Sequence, residues 1–119
     1  MRYMLMHKLD DKDPAAWAPT PEFIGRMGAF LEEANKAGVL LDGEGLRPTT
    51  EGAAKITSRD GKATVVDGPF AEAKEVIAGF AILQVRDQAE AVEWATRFGA
   101  LFDHVEIEVR RVAEMEDFA

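Results

Sequence analysis

The fold is decided by the stretch Val76-Ile77-Ala78-Gly79-Phe80-Ala81-Ile82-Leu83-Gln84-Val85, a long apolar segment followed by a helix signal. Gln84 is its only polar residue, so we expect a central strand that is buried on both faces of a sheet. Asp87 and Glu90 then stand at the spacing of a capping box, which predicts a helix that runs to Phe98 and ends at Gly99. Its inner stripe consists of Ala91, Trp94, Ala95 and Phe98.

The segments before this stretch repeat the same order of strand and helix. Residues 2–9 predict a strand with Tyr3, Leu5, His7 and Leu9 on one face and Met4 and Met6 on the other. Thr20-Pro21-Glu22 has the composition of a helix start, and Gly38 marks the helix end. Apolar residues between them fall on one stripe, which consists of Phe23, Met27, Phe30, Leu31 and Ala34.

The remaining strands complete the pattern of an α+β domain. Residues 39–46 predict a second strand, residues 54–58 and 62–66 a hairpin with a turn at Asp60-Gly61, and Val105, Ile107 and Val109 the last strand. The hairpin is an addition to a ferredoxin-like βαββαβ order, in which both helices cover one face of an antiparallel sheet. Because an uncovered apolar sheet face usually marks an interface, we expect a homodimer packed sheet against sheet.

Composition limits the class of protein before any site is considered. The chain has 119 residues, 47% hydrophobic residues, no cysteine and a net charge of −8. These values favour one domain, exclude disulfides and thiolate chemistry, and disfavour nucleic acid as a partner. Neither a signal segment nor a membrane span is evident, so we expect a cytoplasmic protein that does not bind membranes. We assign residues 1–112 to the domain and residues 113–119 to an acidic tail, either solvated or bound to a partner.

The most unusual segment is Asp67-Gly68-Pro69-Phe70-Ala71-Glu72-Ala73-Lys74-Glu75. Pro69 lacks an amide donor, so strand pairing must stop there, and Asp67 is suited to accept hydrogen bonds from the turn. From physical chemistry alone the segment is either a rigid turn anchored by Phe70 or part of a functional site.

This segment resembles the D-G-P-F-A-E-T-K-E signature of one branch of the YCII-related domain family, differing only at Ala73. Residues 2–5, 43–48, 79–80 and 106–110 are also similar to that branch. The resemblance implies a dimeric α/β-barrel type of fold with a cavity between the sheets. It also implies two kinds of function, because the wider family is suspected of His and Asp catalysis and genes of this branch often adjoin those of extracytoplasmic-function sigma factors.

The candidate catalytic residues are Asp67 and His7, with Glu44, Phe70 and Lys74 as candidate ligand-binding residues. In this hypothesis Asp67 is a general base or hydrogen-bond acceptor and His7 exchanges a proton with it. The alternative for His7 is a half-buried histidine bonded to a carbonyl, and the alternative for Glu44 is a solvated position on an edge strand. We expect neither a metal nor another cofactor, because the two histidines, His7 and His104, lack the spacing of metal ligands.

Three functions therefore remain open from the sequence. The first is a site for a small organic ligand in a dimer cavity, with proton transfer or a lyase-type step on that ligand. The second is a non-catalytic accessory or sensor protein that acts on a sigma factor or another regulatory protein. The third is a stable dimer without a ligand.

Overall fold

A computed structural model describes residues 1–119, and its elements follow the predicted order. They are β1 (Arg2–Asp10), α1 (Pro21–Lys36), β2 (Leu40–Gly45), β3 (Ala54–Arg59), β4 (Lys62–Asp67), β5 (Glu75–Gln84), α2 (Gln88–Gly99) and β6 (Glu106–Arg111). Short 3₁₀ helices lie at Pro14–Trp17 and Met115–Phe118. No helix of the chain combines the length and the apolar character that crossing a membrane requires.

Four strands form one antiparallel sheet in the order β2-β5-β1-β6, and β3 and β4 form a separate two-stranded sheet. This arrangement confirms the antiparallel α+β prediction and is compatible with a ferredoxin-like domain. The register places Tyr3 opposite Leu83, Leu5 opposite Ala81 and His7 opposite Gly79. Since side chains alternate along a strand, these residues share the face that the helices cover, which we call the helix face.

The hydrophobic core lies between the helix face and α2. It consists of Tyr3, Leu5, Val39, Leu83, Val85, Ala91 and Ala95. Ala91 and Ala95 let the α2 backbone approach the sheet closely, because an alanine adds only a methyl group to the contact. In contrast, α1 has only one buried residue, Ala34.

The other side of the four-stranded sheet, which we call the open face, has no layer of this chain over it. The register places Met4 opposite Ile82 and Met6 opposite Phe80 on this face, and all four side chains are partly exposed. The prediction that β5 is buried on both faces is therefore wrong for the single chain. Both helices pack on the same side of the sheet, so Ile77 keeps 43% of its surface exposed.

The predicted helix starts and the predicted hairpin turn are confirmed in detail. The Thr20 side chain accepts a hydrogen bond from the Phe23 amide at 3.1 Å, and Asp87 accepts one from Glu90 at 3.0 Å. The Glu90 carboxylate accepts a hydrogen bond from the Arg86 amide. A capping box would have used the amide of Asp87, one residue later. Asp60 and Gly61 both have positive φ, as a two-residue type I′ turn requires.

Residues of the acidic tail contact the body of the chain through two ion pairs. The Arg2 guanidinium donates to both carboxylate oxygens of Glu114, at 2.7 and 3.1 Å. Arg111 donates to both oxygens of Asp117 at 2.9 Å. The pairs hold the last 3₁₀ helix beside β6, while Met115 and Phe118 remain exposed.

Candidate functional site

A cavity of about 900 Å³ lies between α1 and the helix face of the sheet. Helix α1 contacts the strands less extensively than α2 does, and the space that remains beneath it is lined by side chains of both helices. The wall is mainly apolar and aromatic, and it includes Leu5, Phe23, Met27, Phe30, Trp94, Phe98 and Phe102. Its volume and mainly apolar lining fall within the range of pockets that hold small molecules.

His7 projects from β1 into this cavity. Its imidazole lies 5.3 Å from the Phe98 ring and 5.5 Å from the Phe102 ring, measured between centroids. No protein group forms a hydrogen bond with either ring nitrogen, so the predicted alternative of a carbonyl-bonded histidine is not what the structure shows. Burial lowers the pKa of His7 below its ordinary value, which keeps the imidazole neutral with one donor and one acceptor at neutral pH.

Gly79 makes room for this imidazole on the neighbouring strand. A Cβ added there would lie 2.5 Å from His7 Cε1 and 2.9 Å from the Glu44 carbonyl oxygen. A side chain at position 79 would therefore displace His7 or separate β5 from β2. The glycine in the middle of an apolar strand was the sequence signal of this close approach.

Glu44 belongs to β2, the edge strand that borders the cavity. The register pairs it with Phe80, in the same row of side chains as Met6. Strand alternation therefore directs the Glu44 side chain to the open face, whereas His7 is on the helix face. The structure places the two residues on the strands that flank β5, but on opposite sides of the sheet.

The other three candidate residues lie outside the cavity. Asp67 ends β4 at an exposed position, and its carboxylate accepts no hydrogen bond from the turn amides. Phe70 lies beneath Lys55, whose Nζ is 4.4 Å from the ring centroid. Lys74 accepts a hydrogen bond from the Asp11 amide through its carbonyl oxygen, and its side chain does not line the cavity. Asp67 and His7 are thus on separate elements without a contact between them.

Two polar residues that the sequence did not single out hold the Asp67–Glu75 segment in place. Asp11 and Thr49 are 8% and 7% exposed, and they are the polar side chains that the chain buries. Asp11 accepts hydrogen bonds from the Thr49 amide, at 2.8 Å, and from the Thr49 hydroxyl. Thr49 Oγ1 in turn accepts from the Phe70 amide at 3.0 Å. We call this pair the Asp11–Thr49 anchor.

Gly68 packs directly against the same anchor, and its amide donates a hydrogen bond to the Ala53 carbonyl. Its peptide bond to Pro69 is cis. A Cβ at position 68 would collide with the carbonyl oxygen of Thr49, so the segment requires glycine here for close approach. No sequence motif singled out Asp11, which is one of three aspartates in the short segment from Asp10 to Asp13.

The chemistry that this arrangement supports is binding of an apolar molecule that also forms a hydrogen bond. A neutral imidazole in an apolar cavity can donate to or accept from such a molecule and can act as a general base. The structure gathers no group of three His, Asp or Glu side chains in the geometry of metal ligands.

The fold and the cavity define an α+β domain with one unpartnered histidine in an aromatic pocket. Residues 1–116 match the YCII-related domain, and the chain belongs to this family. A curated relative from Rhizobium meliloti (strain 1021), "Uncharacterized protein R00369", is 31% identical over 97 residues. The alignment covers 80% of this chain and 77% of that protein.

Proposed function

We propose that this YCII-related protein binds a small organic molecule with an aromatic or aliphatic body and one hydrogen-bonding group, in the cavity between α1 and the sheet. The observation that carries the proposal is His7, whose imidazole reaches an aromatic-lined cavity and forms no hydrogen bond with the protein. A ligand hydroxyl, amide or carbonyl group at His7 would satisfy that hydrogen-bonding capacity.

Acid–base chemistry on the bound molecule is the second part of the proposal, and it assigns the proton transfer to His7. The lowered pKa of His7 favours the neutral form that a general base requires near pH 7. Asp67 lies outside the cavity of the single chain, so the proposal does not depend on its carboxylate.

A matched pair of ligands tests the binding site. We expect p-cresol, which has a hydroxyl group, to bind more tightly than toluene, which has the same ring without it. One hydrogen bond is worth a difference of about 3- to 10-fold in affinity. Isothermal titration or quenching of the fluorescence of Trp17 and Trp94, which both line the cavity, can measure both affinities.

The variant His7→Leu should reduce p-cresol binding to the level of toluene and leave toluene binding nearly unchanged. Asp67→Asn serves as the control outside the cavity and should leave both affinities as in the wild type. The proposal fails if p-cresol does not bind saturably, if His7→Leu binds it as tightly as the wild type, or if Asp67→Asn weakens binding as strongly as His7→Leu.

A further inference from the structure

We propose that residues 67–75 control ligand affinity in the cavity by positioning one of its walls, the loop of residues 13–20. This role rests on the proposed function, because it concerns the binding of the same ligand in the same cavity. We call residues 13–20 the wall loop and residues 67–75 the supporting segment. Residues 10–12 form the link between the two.

The wall loop encloses the cavity at the point where the chain enters α1. All of its residues except Pro14 line the cavity, and its buried residue is Trp17, with 9% of its surface exposed. The supporting segment, in contrast, contributes no residue to the lining. Any effect of that segment on a bound ligand must therefore pass through other residues.

Hydrogen bonds tie the wall loop to the end of β1. The Trp17 indole donates to the Asp10 carbonyl at 2.8 Å, and the Asp13 amide donates to the same carbonyl at 3.3 Å. Apart from the cap that Thr20 forms on α1, the other hydrogen bonds of the loop close within it. A four-residue 3₁₀ turn has little stability of its own, so the position of Trp17 depends on how residues 10–12 are held.

The supporting segment holds the two residues that follow β1. The Lys74 carbonyl accepts a hydrogen bond from the Asp11 amide at 3.3 Å. The Ala71 carbonyl accepts one from the Lys12 ammonium group at 2.7 Å. Since β1 ends at Asp10, these contacts set the direction in which the chain leaves the sheet and enters the wall loop.

The supporting segment is itself fixed by the Asp11–Thr49 anchor. The Phe70 amide donates to the Thr49 hydroxyl at 3.0 Å, and that hydroxyl donates to the Asp11 carboxylate. Gly68 fits against the Thr49 carbonyl, where a Cβ would collide. The Asp67 carboxylate accepts no hydrogen bond, so the proposed role uses the backbone of the segment and not this side chain.

The position of a wall affects every ligand alike. If the wall loop occupies the position seen in the structure for only a fraction of the time, the apparent dissociation constant rises by the inverse of that fraction. The loss of the His7 imidazole, in contrast, weakens only ligands that form a hydrogen bond with it. The ratio of the p-cresol and toluene affinities therefore distinguishes a displaced wall from a change at His7.

Ligand titration of two variants tests the support. Thr49→Val removes the hydroxyl between Asp11 and Phe70, and it should weaken p-cresol and toluene alike by about 5-fold, the worth of one hydrogen bond. Lys12→Met removes the exposed hydrogen bond to Ala71 and should weaken both ligands by about 2-fold. Thr49→Ser retains the hydroxyl and should restore both affinities to the wild-type values.

Two control variants separate positioning from a loss of charge or of stability. Lys62→Met removes the same charge from the tip of the β3–β4 hairpin, where Lys62 forms no hydrogen bond through its side chain and no ion pair. Asp87→Ala removes the N-cap of α2 and lowers stability away from the wall loop. Both variants should bind the two ligands as the wild type does, and circular dichroism checks that each protein is folded.

The emission of Trp17 reports the position of the wall loop without a ligand. The chain has two tryptophans, so Trp17 is the only one in a Trp94→Phe background. In that background, Thr49→Val and Lys12→Met should shift the emission to longer wavelength and increase quenching by acrylamide, because a displaced loop exposes the indole to water. Lys62→Met should cause neither change.

The outcomes separate this role from the proposed function. If the wild type binds both ligands and the affinities are unchanged in Thr49→Val and Lys12→Met, the role of the supporting segment is overturned and the proposed function stands. A loss confined to p-cresol also overturns it, because the variants would then act through His7. If the wild type binds neither ligand, the proposed function fails and the effect on affinity fails with it, and the emission of Trp17 alone decides whether the segment positions the wall loop.

Discussion

The two helices lie on the same side of one sheet, but they pack against it in different ways. Helix α2 places Ala91 and Ala95 against the strands, and Ala91 is 0% exposed. Helix α1 buries Ala34 alone and directs Phe23, Met27 and Phe30 toward the cavity.

The difference shows how one architecture provides both a hydrophobic core and a cavity. Small residues on α2 let the helix approach, and the contact forms the hydrophobic core. Helix α1 contacts the strands less extensively, and the space between its large side chains and the sheet is the cavity, which Trp94 and Phe98 of α2 also line. The α2 half should therefore carry most of the stability, and the α1 half should tolerate change.

The largest expected effect comes from the same substitution at the two buried alanines. Ala91→Leu should lower the free energy of unfolding by about 3 kcal/mol, because the closely packed contact has no room for three more carbon atoms. Ala34→Leu should cost less, about 1 kcal/mol, because Ala34 is buried but also borders the cavity, into which the added carbon atoms can extend. Urea unfolding measures both, and equal losses would contradict the contrast between the helices.

The next effect concerns the buried polar contacts of the Asp11–Thr49 anchor, outside the cavity. Thr49→Val keeps the shape of the side chain but leaves the buried Asp11 carboxylate and the Phe70 amide without their hydroxyl partner. We expect a loss of about 2 kcal/mol in the free energy of unfolding and faster proteolysis within residues 67–75. Thr50→Val, at an exposed neighbouring position, is the control and should remain within about 0.5 kcal/mol of the wild type. Equal behaviour of the two variants would refute a stabilising role of the Asp11–Thr49 anchor.

Most of the fold was predictable because its signals are local. Hydrophobic periodicity, the caps at Thr20 and Asp87 and the Asp60-Gly61 turn each depend on a few neighbouring residues. The composition of β5 predicted burial on both faces, whereas the ferredoxin-like order of elements, with both helices on one face, predicted the uncovered face that the structure shows. The residue composition of an apolar strand is the same whether or not another layer of its own chain covers its outer face.

The candidate site was predictable only in part, for a related reason. Alternation placed His7 on the same face of β1 as Tyr3 and Leu5, but it did not decide which face the helices cover. The distance between His7 and Asp67 depends on where a hairpin projects. The Asp11–Thr49 anchor joins residues 38 positions apart, and no local pattern relates them. The glycines at positions 68 and 79 were only an indirect signal, because a glycine indicates that another group approaches the backbone closely without saying which group.

Removing the N-terminal cap of each helix should have a smaller effect on the free energy of unfolding, and the effect should differ between α1 and α2. Asp87→Ala should lower the free energy of unfolding by about 1 kcal/mol, because α2 unfolds together with the core. Thr20→Ala removes a similar hydrogen bond from α1 and should cost less than about 0.5 kcal/mol globally, while hydrogen exchange accelerates in the first turn of α1. Equal global losses, with no local change in exchange at α1, would show that both helices are coupled to the core alike.

The smallest expected effect is the pH dependence of stability that His7 causes. Burial lowers its folded pKa below the unfolded value of about 6.5, so the unfolded state binds a proton more readily as the pH falls. The stability of the wild type should therefore decrease below about pH 6.5 and level off once the pH is below the folded pKa of His7. His7→Leu lacks this proton, so its stability relative to the wild type should be greater at about pH 5 than at about pH 8. Urea unfolding at both pH values measures the difference, with His104→Leu as the control for the exposed histidine. A difference that is the same at both pH values would mean that the cavity does not shield His7 from solvent.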